Sequence, residues 1–394
     1  MCNSSNDIPQ QPNATIQLWR TAHTGQIFNP SLHLDELLLF STEHDCPNVF
    51  FQPNEPVWID TPAGKFPLTE HPLTTEQVEE ILLKMTKTPA ALGILESDRI
   101  DLAYQITRKE QTPDGKGVKR RYRYRFNAVG VVGVNTTSYT LSIRKIDAVP
   151  PYAAKLGLEP ELVDFVTHCT RGLMIIAGAT GQGKTTTLAA LIRELLSVPG
   201  SNQHLVTIES PVEYIYSVVP RSHALVSQIP IGVTLRTFKV AIENCMRMAP
   251  TTILVGETRD EPTAESCLDA SNTGHFVMTS LHANDVHTCV ERFVDLFPPN
   301  QQHKARVNLI NEIRGVVAQR LIPTNDGKKM AIRSQLIFTD QIRHWLYENV
   351  DNLTLATKEA VQKWGRPMVQ SIEEAYSNNR ITQVTYQQLL REYA

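Results

Sequence analysis

Apolar residues recur at three- and four-residue steps through Val78, Ile81, Leu82 and Met85, which predicts an amphipathic helix over 74–85. Thr74 with Gln77 three residues on supplies a capping box at its start. The apolar run at 32–40 (LHLDELLLF) predicts a second helix. The stretch 48–60 (NVFFQPNEPVWID) reads as strand, turn and strand, broken at Pro53-Asn54-Glu55-Pro56. Period-two alternation then takes over. Residues 101–109 and 118–132 form a hairpin around Thr112-Pro113-Asp114-Gly115, and 139–146 adds a further strand. Strands and helices mixed in this way predict a small α+β domain. Pro150 and Pro151 bar both helix and central strand and mark a linker.

Beyond the linker the pattern changes. Short unbroken apolar runs at 173–177, 204–208, 252–255 and 276–279 read as buried strands. Residues 185–196 put Leu188, Leu191, Ile192 and Leu195 on one helical face. Buried strands alternating with helices are the mark of a parallel α/β sheet. From about residue 300 the chain is expected to be mostly helical. The organisation is thus a disordered lead-in at 1–15, rich in Asn, Gln, Ser and Pro, an N-terminal domain at 16–147, a linker at 148–158, and an α/β domain with a helical C-terminal part at 159–394.

Composition narrows the function classes. The 394 residues carry 38 basic and 41 acidic side chains, a net charge of −3. That excludes a wholesale polycation and leaves room for a local basic stripe. The six cysteines form no CxxC pair, which excludes a zinc ribbon and a thioredoxin-type motif and fits a reducing compartment. The longest clean apolar run, 172–179, falls far short of the ~20 residues of a membrane span. The first residues offer neither a basic start nor an apolar segment. A cytosolic protein is expected, one that reaches a membrane only by recruitment.

The chemistry begins at Gly178-Ala179-Thr180-Gly181-Gln182-Gly183-Lys184-Thr185, a full match to G-x-x-x-x-G-K-[ST] lying between a strand and a helix. Glycines let the backbone N–H groups converge on phosphate, and the helix start adds its positive dipole end. Lys184 is suited to the β- and γ-phosphates, the Thr185 hydroxyl to Mg²⁺, and Thr186 extends the nucleotide loop. No NKxD guanine-reading motif is present, which favours ATP. Carboxylates follow two of the strands, at 207–213 (TIESPVE) and 253–260 (ILVGETRD), the sheet edge where open α/β folds bind ligands. Glu213 and Glu257 are the candidates for water and metal. His275 and His282 bracket a strand, so they serve its two ends. A γ-phosphate sensor and a satisfied core histidine are both open readings.

In this order the loop, TIESPVEY, ILVGETRD and TGHFVMTSLHAND resemble the Walker A, Asp-box, Walker B and His-box series of the type II/IV secretion ATPases. Segments at 292–302, 315–323 and 368–382 agree with it. The resemblance implies a RecA-like P-loop NTPase domain behind a PAS-like α+β N-terminal domain. It also implies a homohexamer that hydrolyses Mg²⁺-ATP to drive membrane-associated machinery at the cytoplasmic face of the inner membrane. It assigns water activation to Glu213, support of metal and water to Glu257, and the His-box positions to His275 and His282. Two departures stand out. Ser210 replaces the usual Asp-box aspartate, and Met248-Ala249-Pro250-Thr251-Thr252 replaces an acidic stretch before Walker B. They fit pilus-retraction motors poorly and look more like the type IVB (Dot/Icm-like) secretion and conjugation branch. Pilus retraction and nucleic-acid translocation are the alternatives.

Arg121, Arg123 and Arg125 alternate with Tyr122, Tyr124 and Phe126, so the arginines share one strand face and the aromatics the other. Single-stranded nucleic acid binding wants cations and stacking rings together, and here they are opposed. Arginine fingers toward a γ-phosphate are the second reading. The resemblance supports it at Arg123 and Arg125 and adds Arg144. A solvated face is the third.

Overall fold

Alternating burial builds the N-terminal unit. The computed structural model describes residues 14–61, 64–95, 98–111, 117–132, 137–147, 149–232 and 234–393, divided into units Met1–Ala148 and Val149–Ala394. The first unit holds helices α1 (Ala14–Ala22), α2 (Pro30–Glu43), α3 (Thr75–Thr86) and α4 (Ala91–Leu95). Its strands are β1 (Asn48–Phe51), β2 (Trp58–Thr61), β3 (Gly64–Pro67), β4 (Ile100–Gln111), β5 (Gly117–Val132) and β6 (Thr137–Ile146). They form one antiparallel sheet in the order β3-β2-β1-β6-β5-β4. Phe51, Tyr124, Phe126 and Ile143 pack on Leu34, Leu37, Val78 and Ile81 of the helices, leaving the other sheet face polar. Both bonds of the Thr74–Gln77 capping box form. Helix α1 starts at Ala14, within the stretch expected as lead-in, and its Ile16 and Trp19 are buried in the core. The hairpin turn at 112–115 lies outside the described residues.

The second unit contains α5 (Pro160–His168), α6 (Lys184–Ser197), α7 (Phe238–Cys245), α8 (Glu261–Asn272), α9 (Val286–Val294) and α10 (Gln302–Glu312). Helices α11 (Asp340–Glu348), α12 (Leu353–Trp364), α13 (Met368–Ser377) and α14 (Gln383–Tyr393) complete it. Strands β7 (Gly172–Ala177), β8 (Gln203–Glu209), β9 (Ala224–Pro230), β10 (Thr252–Val255), β11 (Phe276–Leu281), β12 (Ile313–Pro323) and β13 (Lys329–Ile337) form one sheet. Its order is β13-β12-β7-β11-β10-β8-β9, parallel except for the β12–β13 pair. Strands β7, β10 and β11 are buried at every residue, as strands covered on both faces must be.

The region after residue 300 is mostly helical, as expected, through α10 to α14, but it also holds β12 and β13, which the sequence reading did not place and which run antiparallel from Gly315–Ile337 to Pro323–Lys329. Buried Gln319 in β12 and buried Arg333, Ser334 and Gln335 in β13 interrupt both an apolar run and a period-two alternation, so neither strand is marked in the sequence. The linker is also less free than its prolines imply. Arg193 donates to the Pro150 carbonyl and lies 3.5 Å from the Tyr152 ring. The Ala153 N–H donates to Glu194 at 2.9 Å, and Arg333 donates to the carbonyls of Leu156 and Gly157 at 3.0 Å. From Pro150 onward the chain is fastened into the second unit.

Candidate functional site

Parallel register brings the chemistry to one edge. Ala177 pairs with Leu281, Thr279 with Val255, and Val255 with Ile208. The residues that follow each strand therefore emerge side by side: the loop 178–183, His282, Gly256-Glu257 and the end of β8 at Glu209. Such a row outside the carboxyl ends of parallel strands is where open α/β folds bind ligands.

The phosphate loop is built as its sequence predicts. Gly183 has φ +77° and directly precedes α6, whose first residue is Lys184. A β-carbon on Gly178 would meet the Gln319 carbonyl at 2.7 Å, so the loop lies against β12 closer than a side chain permits. Gln319 is a component that sequence reasoning missed. This buried side chain accepts from Thr187 at 2.7 Å and donates to the Gln182 carbonyl at 2.5 Å. Gln182 in turn accepts from the Leu321 N–H at 2.6 Å. Beside Gly183 and Thr186 a cavity of about 580 Å³ opens, walled by Leu156, Leu321 and Met330. Its volume lies within the range of small-molecule sites.

Lys184 is nearly buried, and its ammonium donates to the carbonyls of Gly178 and Ala179 at 2.8 and 3.0 Å. It lies 3.4 Å from His282 Nδ1. On its far side the His282 ring brings Nε2 within 2.8 Å of Glu257 Oε1, and Glu257 Oε2 accepts from Arg259 at 2.6 Å. A line Lys184–His282–Glu257–Arg259 thus crosses the mouth of the sheet. Burial pulls the Lys184 ammonium below its ordinary range, Glu257 opposes this, and Arg259 adds to it. Burial alone would raise the Glu257 carboxyl. The hydrogen bond and charge of Arg259, with His282 and Lys184, outweigh it and hold the group low, so Glu257 is an anion at neutral pH.

The Glu257 Oε1 contact lacks hydrogen-bond geometry, and among the described residues this buried oxygen accepts no hydrogen bond. An orphaned carboxylate oxygen beside a phosphate loop is suited to a cation or a cation-bound water. Thr185 follows Lys184 on the same helical turn, half-buried. Among the described residues no three His, Cys, Asp or Glu side chains gather into a protein-only metal cage. Mg²⁺ in a nucleotide site needs none, since it takes one or two protein ligands besides phosphates and water. The donor set fits that ion.

Glu213 lies in the loop after β8, half-buried, and Tyr214 next to it donates to the Thr186 hydroxyl at 3.2 Å. The acidic stretch is thereby tied to the first turn of α6. His275 is not brought to the edge. It precedes β11 at the opposite end of the sheet, where its Nδ1 contacts the Ala270 carbonyl at 3.0 Å and the Thr273 hydroxyl at 3.1 Å. It closes the end of α8, as a satisfied structural histidine does, while His282 faces the loop.

In the N-terminal unit, Arg123, Arg125 and Arg144 share the polar sheet face, with Arg125 and Arg144 in direct register. Asp101 holds Arg125 by two hydrogen bonds, at 2.9 and 2.5 Å. Asn48 accepts from Arg144 at 2.8 Å. Arg123 is 5% exposed, and Arg121 is open to solvent. The strand is therefore no uniform solvated face.

Residues 90–389 match the family model described as type II/IV secretion system protein. The type IV pilus ATPase PilU of Pseudomonas aeruginosa is 28% identical, the match covering 89% of this chain and 87% of PilU. The crystal structure of the ATPase DotB of Legionella pneumophila is 28% identical. It covers 93% of this chain and 97% of its own, at a TM-score of 0.83. The pilus retraction motor PilT with bound ADP is 26% identical, covers 90% and 95%, and has a TM-score of 0.71.

Proposed function

The chain belongs to the type II/IV secretion system protein family and is an ATP-hydrolysing enzyme, and from that premise we propose a hexameric motor of a type IVB-like secretion or conjugative transfer apparatus. The observation that carries the finer reading is the likeness to DotB across nearly the whole chain, N-terminal unit included. Pilus retraction is the second reading, favoured by the sequence match to PilU. Nucleic-acid translocation is less favoured, because Tyr124 and Phe126 turn into the core, away from the arginine face, and leave no rings beside the cations for bases to stack on.

In this reading the loop N–H groups and Lys184 hold the ATP phosphates, and the Gly183 cavity takes the nucleoside. Thr185 and Glu257 would hold Mg²⁺, which when bound neutralises charge on the phosphates. Glu213 orients the attacking water, and His282 senses the γ-phosphate from beside Lys184. Arg123, Arg125 and Arg144 supply positive charge to the site from the N-terminal domain. Among the described residues no helix is long and apolar enough to cross a membrane. In the proposed reading, work on a membrane apparatus proceeds through partner proteins at its cytoplasmic face.

The test is genetic. A host lacking this gene should lose conjugative transfer or protein secretion and keep twitching. The wild-type gene should restore the lost trait, and a Lys184→Ala gene should not. Loss of twitching with transfer and secretion intact would move the assignment to pilus retraction.

A further inference from the structure

Glu209 ends β8 and is 3% exposed, a carboxyl with no packing reason to be there. Its side chain accepts from the Thr207 hydroxyl at 2.6 Å and from the backbone N–H of Glu213. Its own carbonyl accepts from the Ile231 N–H at 2.8 Å, which fixes its backbone to the end of β9. Three residues, Ser210, Pro211 and Val212, separate Glu209 from the Glu213 amide it binds, so this one side chain closes the loop that carries Glu213. A second clip holds the far side. Gln228 on β9 donates to the Tyr214 carbonyl at 2.8 Å and accepts from the Tyr216 N–H at 3.0 Å. Gln228 also hydrogen-bonds Glu209 itself. The Asp-box loop is thus gripped at Glu213 by Glu209 and at Tyr214 and Tyr216 by Gln228.

We infer that Glu209 is a positioning residue for hydrolysis, holding the Glu213 loop through the Glu213 amide, with Gln228 as its partner. The inference rests on the reading of Glu213 as the residue that orients water. The two groups that grip Glu209 most directly, the Thr207 hydroxyl and the Glu213 N–H, are donors, so the ionised carboxylate is the form that holds the loop best. Burial, the largest influence, pushes the carboxyl up to about 7, against the hydrogen bonds of Thr207, the Glu213 backbone and Gln228. The Glu213 charge adds to the rise. Among the described residues the titratable groups that face it are Glu213 and the buried Tyr216 phenol. From β9 it meets the neutral Gln228, and from the end of β10 the backbone of Gly256. As pH falls through about 7 the carboxylate takes a proton, its grip weakens, and turnover should fall with it.

The experiment is the pH profile of kcat and KM for ATP in the full chain and two variants. Wild type should show an acid limb in kcat near pH 7. Glu209→Gln cannot ionise, so it should lower kcat above pH 7 by roughly tenfold to a hundredfold and erase that limb, with KM little changed. Gln228→Leu should lower kcat by about as much and keep the limb, because Glu209 is intact. A wild-type profile flat between pH 6 and 8, or an unchanged limb in Glu209→Gln, overturns the inference. If Glu209→Gln does not fold, the wild-type limb and the Gln228→Leu profile still decide it. Glu213→Gln separates the two layers. Full turnover in that variant would sink the reading of Glu213 itself, whatever Glu209 does.

Discussion

Lys184 shows what a single residue contributes here. Its ammonium is desolvated between two loop carbonyls and His282, so its charge is strong and aimed. Lys184→Ala leaves the backbone nest and removes the cation. It should weaken ATP binding by more than about tenfold in equilibrium titration, since a charged hydrogen bond is worth roughly 1.5–3 kcal/mol. Unchanged affinity would contradict the assignment. This residue was legible in the sequence because its motif is contiguous and its strand and helix flank it. Gln319 was not, since it reaches Thr187 from 132 positions away and only β12–β7 pairing brings it there. His275 and His282 looked alike in sequence. The direction of β11 separates them, one at each end of the sheet.

Among the elements, β5 carries the most testable claim. Its period-two pattern was legible, and Tyr124 and Phe126 do face the core. Its gradient of exposure was not, because burial of Arg123 depends on the surrounding fold rather than on alternation. If Arg123 and Arg125 act on the γ-phosphate, Arg123→Ala or Arg125→Ala should cut ATP turnover by about 10³-fold or more while ATP binding survives. Arg121→Ala, nearer the turn and exposed, should matter far less. If the strand tracks nucleic acid, the same changes should weaken DNA affinity and flatten its salt dependence, with basal turnover intact. Basal ATPase rates beside DNA affinity at two salt concentrations separate the outcomes. Strands β12 and β13 were lost to sequence reading because buried polar residues, Gln319 in the first and Arg333, Ser334 and Gln335 in the second, break the apolar runs that marked the other buried strands.

For the whole molecule, the α/β class and the alternation of strands and helices in the second unit were legible, because a doubly covered parallel sheet leaves unbroken apolar runs. The fastening of 150–157 was not, since it depends on Arg193 and Arg333 arriving from distant elements. If the proposed hexamer is the motor, the ring should be the active species. Sedimentation should show a hexamer, and specific activity should rise with protein concentration toward a plateau. A monomer fully active at every dilution would exclude it. Hydrolysis of ATP at the edge lined by Lys184, His282 and Glu257 is read out by the ATP turnover of Glu257→Gln, with bound nucleotide measured in the same samples. The amide keeps the shape of the side chain and loses the anion, so ATP should stay bound while turnover drops at least about a hundredfold. Turnover near the wild-type rate with ATP bound would contradict the account.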